Sequence, residues 1–301
     1  LIRADGELIA SWVQFTGADM QRPECANRLE NPTSSSSSSS SQHQGPDCFF
    51  TAEVRAIYND TAMLANPECP SDALKIDGKE TTMSLRVNAV EHFENFVCYA
   101  LLPQNVNSIE LEGHKLPIPK WDIGKVAVIG DTGCRQGPSN AGLYQSCLNP
   151  SLWPFKRVSQ SVYESKPDLV VHMGDYIYRE GPCATYIKNE LGEEDEIAGC
   201  KDAPFYSTNV EHPVPENFGV WQADWFEPGK FINRAAPLIL IRGNHEQCKR
   251  AGKGYFRYLH QGPETVCVDS LTGSAATQEW VVDFKDFQVG VTDTSTPPKD
   301  N

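Results

Sequence analysis

The sequence predicts an α/β fold built on a buried parallel sheet and preceded by a small antiparallel β domain. Three observations predict it. Past Trp121 the chain alternates short apolar runs with helically spaced ones, the pattern of strand–helix–strand units. Three of those apolar runs end on Gly followed by Asp or Asn. Before residue 120 apolar residues instead tend to alternate with polar ones, as half-buried strands do.

The first domain is expected over residues 1–120, with strands at 7–15, 48–57, 82–90 and 95–102. Ser34 to Ser41 is an unbroken serine tract, which has no apolar surface to bury and reads as a flexible loop. Leu116-Pro117-Ile118-Pro119-Lys120 reads as a stiff, extended linker, because proline fixes its own backbone and restricts the preceding residue.

The second domain is expected over 121–301. Its runs at 125–130, 168–173 and 237–241 have the continuous apolar character of strands buried on both faces. A helix is expected at 155–166, with Phe155, Val158 and Val162 on its inner side. An aromatic-rich helical stretch follows at 217–235, where Trp221 and Trp225 read as core. Parallel neighbours in this order imply right-handed crossovers. Residues 179–216 read as an excursion over the rim of the site, with Cys183 and Cys200 available to close it; its run of Glu190 to Glu196 reads as a solvated face. Tyr255, Phe256, Tyr258 and His260 read equally well as a mobile rim or as packing residues. Two strands at 279–284 and 287–292 read as a hairpin turning at Lys285-Asp286.

Composition narrows the function. Apolar residues make up 40% of 301, and 40 acidic against 26 basic residues give a net charge of −14. Nucleic-acid binding, which needs a basic stripe, is excluded on that ground. No apolar run approaches the roughly eighteen residues of a membrane helix. Bound metal would still permit a small anionic substrate, because the ion inverts the local field. Ten cysteines, none in a Cys-x-x-Cys pair, suit disulfides in an oxidising compartment, so a secreted or cell-surface location is expected. The sequon Asn59-Asp60-Thr61 agrees. The chain starts at Leu1, which suggests a removed leader or a fragment. Oligomeric state is not legible.

The chemistry concentrates in three segments: Val128-Ile129-Gly130-Asp131-Thr132-Gly133, Met173-Gly174-Asp175-Tyr176-Ile177-Tyr178 and Ile241-Arg242-Gly243-Asn244-His245-Glu246. In each, Gly lets the backbone turn and the next side chain stands at the carboxyl end of a strand, where open α/β sheets bind ligands. Asp131 and Asp175 are hard anionic oxygen donors, and Asn244 adds a neutral carbonyl. Tyr178 ligates as phenolate only beside a strongly charged ion, such as Fe³⁺. Arg242 is a candidate phosphate contact. His172, on an apolar strand, reads as a buried histidine behind the site rather than a catalyst. Cys134 reads as a disulfide partner before a thiolate ligand.

The ordered series Gly-Asp-x-Gly, Gly-Asp-x-x-Tyr, Gly-Asn-His-Glu resembles the calcineurin-like metallophosphoesterases, most of all their purple-acid-phosphatase branch, over residues 125–295. The resemblance implies a four-layer αββα sandwich, of which this chain carries the N-terminal half, and hydrolysis of phosphate esters, monoesters above all, by a metal-activated hydroxide. It implies two metal ions, Fe with Zn, Mn or Fe. Asp131 would bind the first metal, Asp175 would bridge both, Tyr178 would bind the first and Asn244 the second. His245 would contact the scissile phosphate and assist the leaving group, with Glu246 just behind the ligands.

One departure stands out. The family completes its site with later histidines, including a Gly-His-x-His, and no histidine follows His260 here. The expectation is a chain truncated before those motifs, because imidazole is the favoured partner of zinc and iron. Two alternatives follow. One is a degenerate, non-catalytic secreted binding protein. The other is a PhoD-type alkaline phosphatase or phosphodiesterase, which Gly-Asp-Tyr-Ile-Tyr also resembles. A disulfide-rich adhesion domain accounts for the first 120 residues but not for the motifs.

Overall fold

The computed structural model describes residues 6–17, 51–60, 67–135, 145–179, 186–188, 194–196, 216–248, 250–262, 277 and 279–293. The serine tract, Cys183, Cys200 and the last eight residues lie outside them, as does most of the stretch 179–216.

The chain runs through β1 (Leu8–Gly17), β2 (Thr51–Asn59), β3 (Leu74–Ile76), β4 (Lys79–Thr81), β5 (Ser84–Val87), β6 (Asn95–Leu101), β7 (Ile109–Leu111), β8 (His114–Lys115) and β9 (Val126–Ile129). Helix α1 (Phe155–Ser165), β10 (Leu169–His172), β11 (Tyr186–Lys188) and β12 (Glu194–Glu196) follow. Then come α2 (Phe218–Trp221), which continues as a π-helical turn over Gln222–Phe226, α3 (Ile232–Ala235), β13 (Leu238–Leu240) and α4 (Gly252–Gly254), with a second π turn over Tyr255–Leu259. The hairpin β14 (Trp280–Asp283) and β15 (Gln288–Val291) is last, and Asp283 pairs with Gln288.

Seven strands form one sheet in the order β5-β6-β2-β1-β13-β10-β9. The β1, β2, β5 and β6 strands pair antiparallel, whereas β13, β10 and β9 are parallel to one another and join through parallel β1–β13 pairing. The strands expected before residue 120 and the three motif-bearing strands expected after Trp121 are thus hydrogen-bonded into the same sheet. What changes near residue 120 is strand direction. Among the described residues, β3, β4, β7 and β8 form a small antiparallel sheet of their own, and β11–β12 and β14–β15 are separate antiparallel pairs.

Alternating residues on the central strands feed two cores on opposite faces. Val13, Leu169, Val171 and Ile239 face one, together with Leu74 and Leu111 of the small sheet and Trp280 and Val282 of the hairpin. Trp12, Val170, Leu238 and Leu240 face the other, under Phe155, Trp221, Trp225 and Tyr255 of the helices. The described layers are therefore helices, central sheet and a second β layer. This is an α/β fold with a large central sheet. The Cys69–Cys98 disulfide ties the loop before β3 to strand β6.

Burial departs from expectation in instructive places. Strand β2, expected to be half-buried, is buried along nearly its whole length because it is sandwiched between both layers. Strand β9, expected to be buried on both faces, is the edge strand, with Val126 and Val128 41% and 63% exposed. In α1 the inner stripe is Phe155, Ser159 and Val162, so Val158 falls outside it and is 39% exposed.

Residues 255–260 are packing residues and not a mobile rim. Tyr255, Phe256, Tyr258 and His260 are buried. The carbonyls of this segment are held by arginines from the sheet. Arg55, itself paired with Glu53, donates to Tyr258 O and His260 O, and Arg86 donates to His260 O at 3.0 Å. Buried Glu216 holds the other end, accepting from the backbone N–H groups of Lys253 and Gly254 and from Trp221 Nε1. The packing matters because this segment lies under the third motif.

Candidate metal centre

The three motifs leave β9, β10 and β13 at the same edge of neighbouring parallel strands, and backbone hydrogen bonds join them. Asp131 N donates to Gly174 O at 3.1 Å, and Thr132 N donates to Asp175 O at 3.0 Å. Both Asp131 and Asp175 have positive φ, +54° and +61°, in the left-handed region that costs an L-residue roughly 1–2 kcal/mol. Strain of this kind persists where the surroundings over-determine it, often at functional sites. The glycines allow the close approach. A Cβ on Gly174, itself at φ +95°, would meet Gly243 N at 2.3 Å, and one on Gly243 would meet Asp175 Oδ1 at 2.0 Å.

Glu246 staples the third loop to the second. Its fully buried carboxylate accepts four backbone N–H groups: Gly243 (3.0 Å) and Asp175 (2.8 Å) at Oε2, Tyr176 (2.8 Å) and Ile177 (3.3 Å) at Oε1. Asp175 Oδ1 in turn accepts from His245 N at 3.0 Å.

Candidate side chains from all three motifs meet at Tyr178. Its hydroxyl stands 2.5 Å from Asp131 Oδ1 and 2.7 Å from Asp175 Oδ2, so one phenolic hydrogen serves two carboxylates. Burial first, then these two hydrogen bonds, pushes the phenol far above its ordinary range, so it stays protonated in the metal-free chain. Three oxygens thus surround one proton at a place where a cation could replace it. The His245 ring lies against the Tyr178 ring, centroids 3.9 Å apart. Asn244 is exposed at the start of the single helical turn Asn244–Glu246.

His172 is buried behind this cluster, stacked on Tyr176 with centroids 4.1 Å apart. Its Nδ1 accepts from Gly174 N at 3.2 Å, which leaves the hydrogen on Nε2, 2.9 Å from Thr132 Oγ1. Burial pushes its pKa down to about 3, so it is a neutral brace between the first two motifs. Thr132→Val removes the acceptor of a buried N–H and should destabilise the chain by roughly 1–2 kcal/mol, read from its urea midpoint.

Arg242, expected to contact phosphate, is instead buried in an ion pair with Asp293 at 2.7 Å, and its guanidinium lies over the Phe256 ring. The sequence reading missed the buried pair of Arg179 with Asp224 (2.9 and 2.6 Å), which clamps the residue after Tyr178. An acidic residue between Trp221 and Trp225 was the available signal, since a charge among core aromatics needs a partner. It also missed Trp153, whose Nε1 donates to Thr132 O at 2.9 Å. Cys134 is disulfide-bonded to Cys147.

Four buried groups shape stability against pH in the metal-free chain. Burial lowers His172 to about 3 and, with help from Arg86, lowers His260 to about 3; the ordinary value is 6.5. Burial raises Glu216 to about 8 and, with the Asp175 charge, raises Glu246 to about 7; the ordinary value is 4.5. Below pH 6.5 the unfolded histidines take up protons that the folded ones refuse, so stability is lost on the way down to about 3. Above pH 4.5 the unfolded glutamates release protons that the folded ones keep, so stability is lost on the way up to about 7 or 8. Between pH 4.5 and 6.5 the two slopes cancel, and the melting temperature should be highest there. A maximum on the alkaline side of the Glu216 titration would contradict this account.

A family model for calcineurin-like phosphoesterases matches residues 124–286, and the chain belongs to that family. The family implies a two-metal cofactor and phosphoester hydrolysis as its general chemistry. No curated protein matches the chain. Among solved structures, the chain is similar to purple acid phosphatase PPD1 from yellow lupin (Lupinus luteus) seeds, with 11% identity and a TM-score of 0.35. The similarity covers 80% of this chain and 42% of the lupin chain, so this chain spans less than half of that protein's length.

The residues fit the cofactor in part. Asp131, Asp175 and Tyr178 converge as an all-oxygen set suited to a hard, highly charged ion. Among the described residues no group of three His, Cys, Asp or Glu side chains gathers around a common point.

Proposed function

We propose that this chain carries the site of a metal-dependent hydrolase of phosphate esters, with monoesters as its main substrates, on the pattern of the purple-acid-phosphatase branch. The observation that supports it best is the Tyr178 hydroxyl shared between Asp131 and Asp175 at the ends of adjacent parallel strands. Asp131, Asp175 and Tyr178 would hold one ion, and Asp175 with Asn244 would contribute to a second. When bound, the ions supply Lewis acidity to the phosphoryl oxygens and lower the pKa of water.

The chain's own residues do the rest. Asp175 is positioned from both sides, by Glu246 on its backbone N–H and by His245 N on its Oδ1. The His245 ring, resting on Tyr178, delivers a proton to the alcohol oxygen as its bond to phosphorus breaks and the bond from water to phosphorus forms. Tyr178 gives up its hydrogen on metal binding, so loading should release a proton that Tyr178→Phe does not. The Cys69–Cys98 and Cys134–Cys147 disulfides support an extracellular or cell-surface location. No described helix is long and apolar enough to cross a membrane.

The test is release of inorganic phosphate from a panel of monoesters and diesters by chain loaded with iron, zinc or manganese. Metal-dependent release, faster with monoesters, is the expected result. Stoichiometric metal binding without turnover would favour the second reading, a phosphoesterase-like binding protein.

A further inference from the structure

A cavity of about 450 Å³ opens beside Asp131 and Tyr178. One side of it is apolar, formed by Trp153, Phe155 and Val158, and Thr132, Arg135 and Gln145 line it elsewhere. We propose that this cavity is the alcohol-side subsite of the phosphoesterase site and that it selects phosphate esters of aromatic alcohols. The inference rests on the phosphoesterase reading and adds the substrate class.

Four observations carry it. First, the cavity is continuous with the candidate metal centre, since Asp131 and Tyr178, joined by a hydrogen bond, both line it. A phosphoryl group at Asp131 would leave its alcohol portion facing the apolar wall.

Second, that wall is fixed in place. Trp153 Nε1 is tied to the carbonyl of Thr132, next to Asp131, and Trp153 N to Asn149 O at 2.9 Å. Gln145 bridges the wall to the first motif, donating to Leu152 O at 2.6 Å and accepting from Arg135 N at 3.0 Å. The Cys134–Cys147 disulfide closes the same loop. Phe155 is buried and stacked on Trp225, centroids 5.7 Å apart. Rigid aromatic surfaces lose little entropy when a ring packs on them.

Third, Val158 has no packing role in the helix's inner stripe, yet it presents an apolar side chain to the cavity. Fourth, the chemistry of the wall discriminates. On the side of Trp153, Phe155 and Val158 the hydroxyls of a sugar or polyol would lie without side-chain hydrogen-bond partners, which disfavours them there. A flat ring would be accommodated, since an apolar cavity of about 150 Å³ already holds one benzene.

The test uses two non-hydrolysable probes, phenylphosphonate and methylphosphonate, titrated calorimetrically into the manganese-loaded chain. Phenylphosphonate should bind roughly tenfold or more tightly, the scale set by burying one ring. Val158→Lys, on the helix surface, and Trp153→Ala should each bring the affinity ratio below roughly threefold. Because the ratio is read, a general loss of folded protein does not imitate the effect. Equal affinities in the parent, or a ratio that neither variant moves, would overturn the subsite and leave the phosphoesterase reading standing. Failure of methylphosphonate and inorganic phosphate to bind the loaded chain would overturn both.

Discussion

Asp175→Asn should lower phosphate-ester turnover at least ~100-fold, the scale of a lost electrostatic group at the reacting centre. The substitution is nearly isosteric, and its Oδ1 can still accept from His245 N. What it removes is the negative charge at the residue we propose to contribute to both ions. His245→Ala should cost a similar ~100-fold, through loss of the proton donor to the leaving group. The check is steady-state phosphate release beside metal content and circular dichroism. Two variants that fold, hold metal and turn over near the parental rate would sink the site assignment. The two should also differ. Asp175→Asn should reduce metal affinity, whereas His245→Ala should leave it near the parental value, because His245 is given no ligand role here.

Glu246→Ala should be the most destabilising single change at the site. It strands four backbone N–H groups in a place that is 0% exposed. Each unsatisfied donor costs about 1–3 kcal/mol, and water entering the vacated space offsets part of it, so a net loss of roughly 3–5 kcal/mol is expected. That is a large share of the roughly 5–15 kcal/mol total stability of a domain. Glu246→Gln keeps the volume and one acceptor oxygen and should fall between parent and Glu246→Ala. The urea midpoints of the three chains decide it. A Glu246→Ala midpoint equal to the parent's would mean that Glu246 does not hold the loops together. Turnover should fall with stability here, because the carboxylate fixes the backbone of Asp175 and touches no substrate.

Much of the fold was legible in local pattern. The parallel strands, helix α1, the β14–β15 hairpin and the core role of Trp221 and Trp225 follow from periodicity and turn chemistry within windows of a dozen residues. The meeting of the three segments at the candidate site was legible for a similar reason. Gly then Asp or Asn at the end of an apolar run is a local signature, and Asp131, Asp175, Tyr178 and His245 do come together. Arg242 shows where such reading stops. Its chemistry suits phosphate, but its partner Asp293 lies 51 residues away, and nothing near Arg242 in the chain announces it. Burial of β9 failed likewise. An apolar strand in the centre of a sheet and one at its edge have the same composition, and only the order of strands separates them.

By itself the sequence determined which residues turn the chain and which oxygen donors end three strands, because each depends on near neighbours. Tertiary structure alone decided that the N-terminal strands share the sheet of the motif strands. It also decided that one phenolic hydrogen joins two carboxylates, that Glu246 collects four N–H groups from two loops, and that an apolar cavity borders the site. The physical reason is the same throughout: hydrogen bonds and desolvation act through space over a few ångströms, and residues as distant in the chain as Asp175 and Glu246, or Gln14 and Leu238, meet at that range only once the sheet has set the strand order.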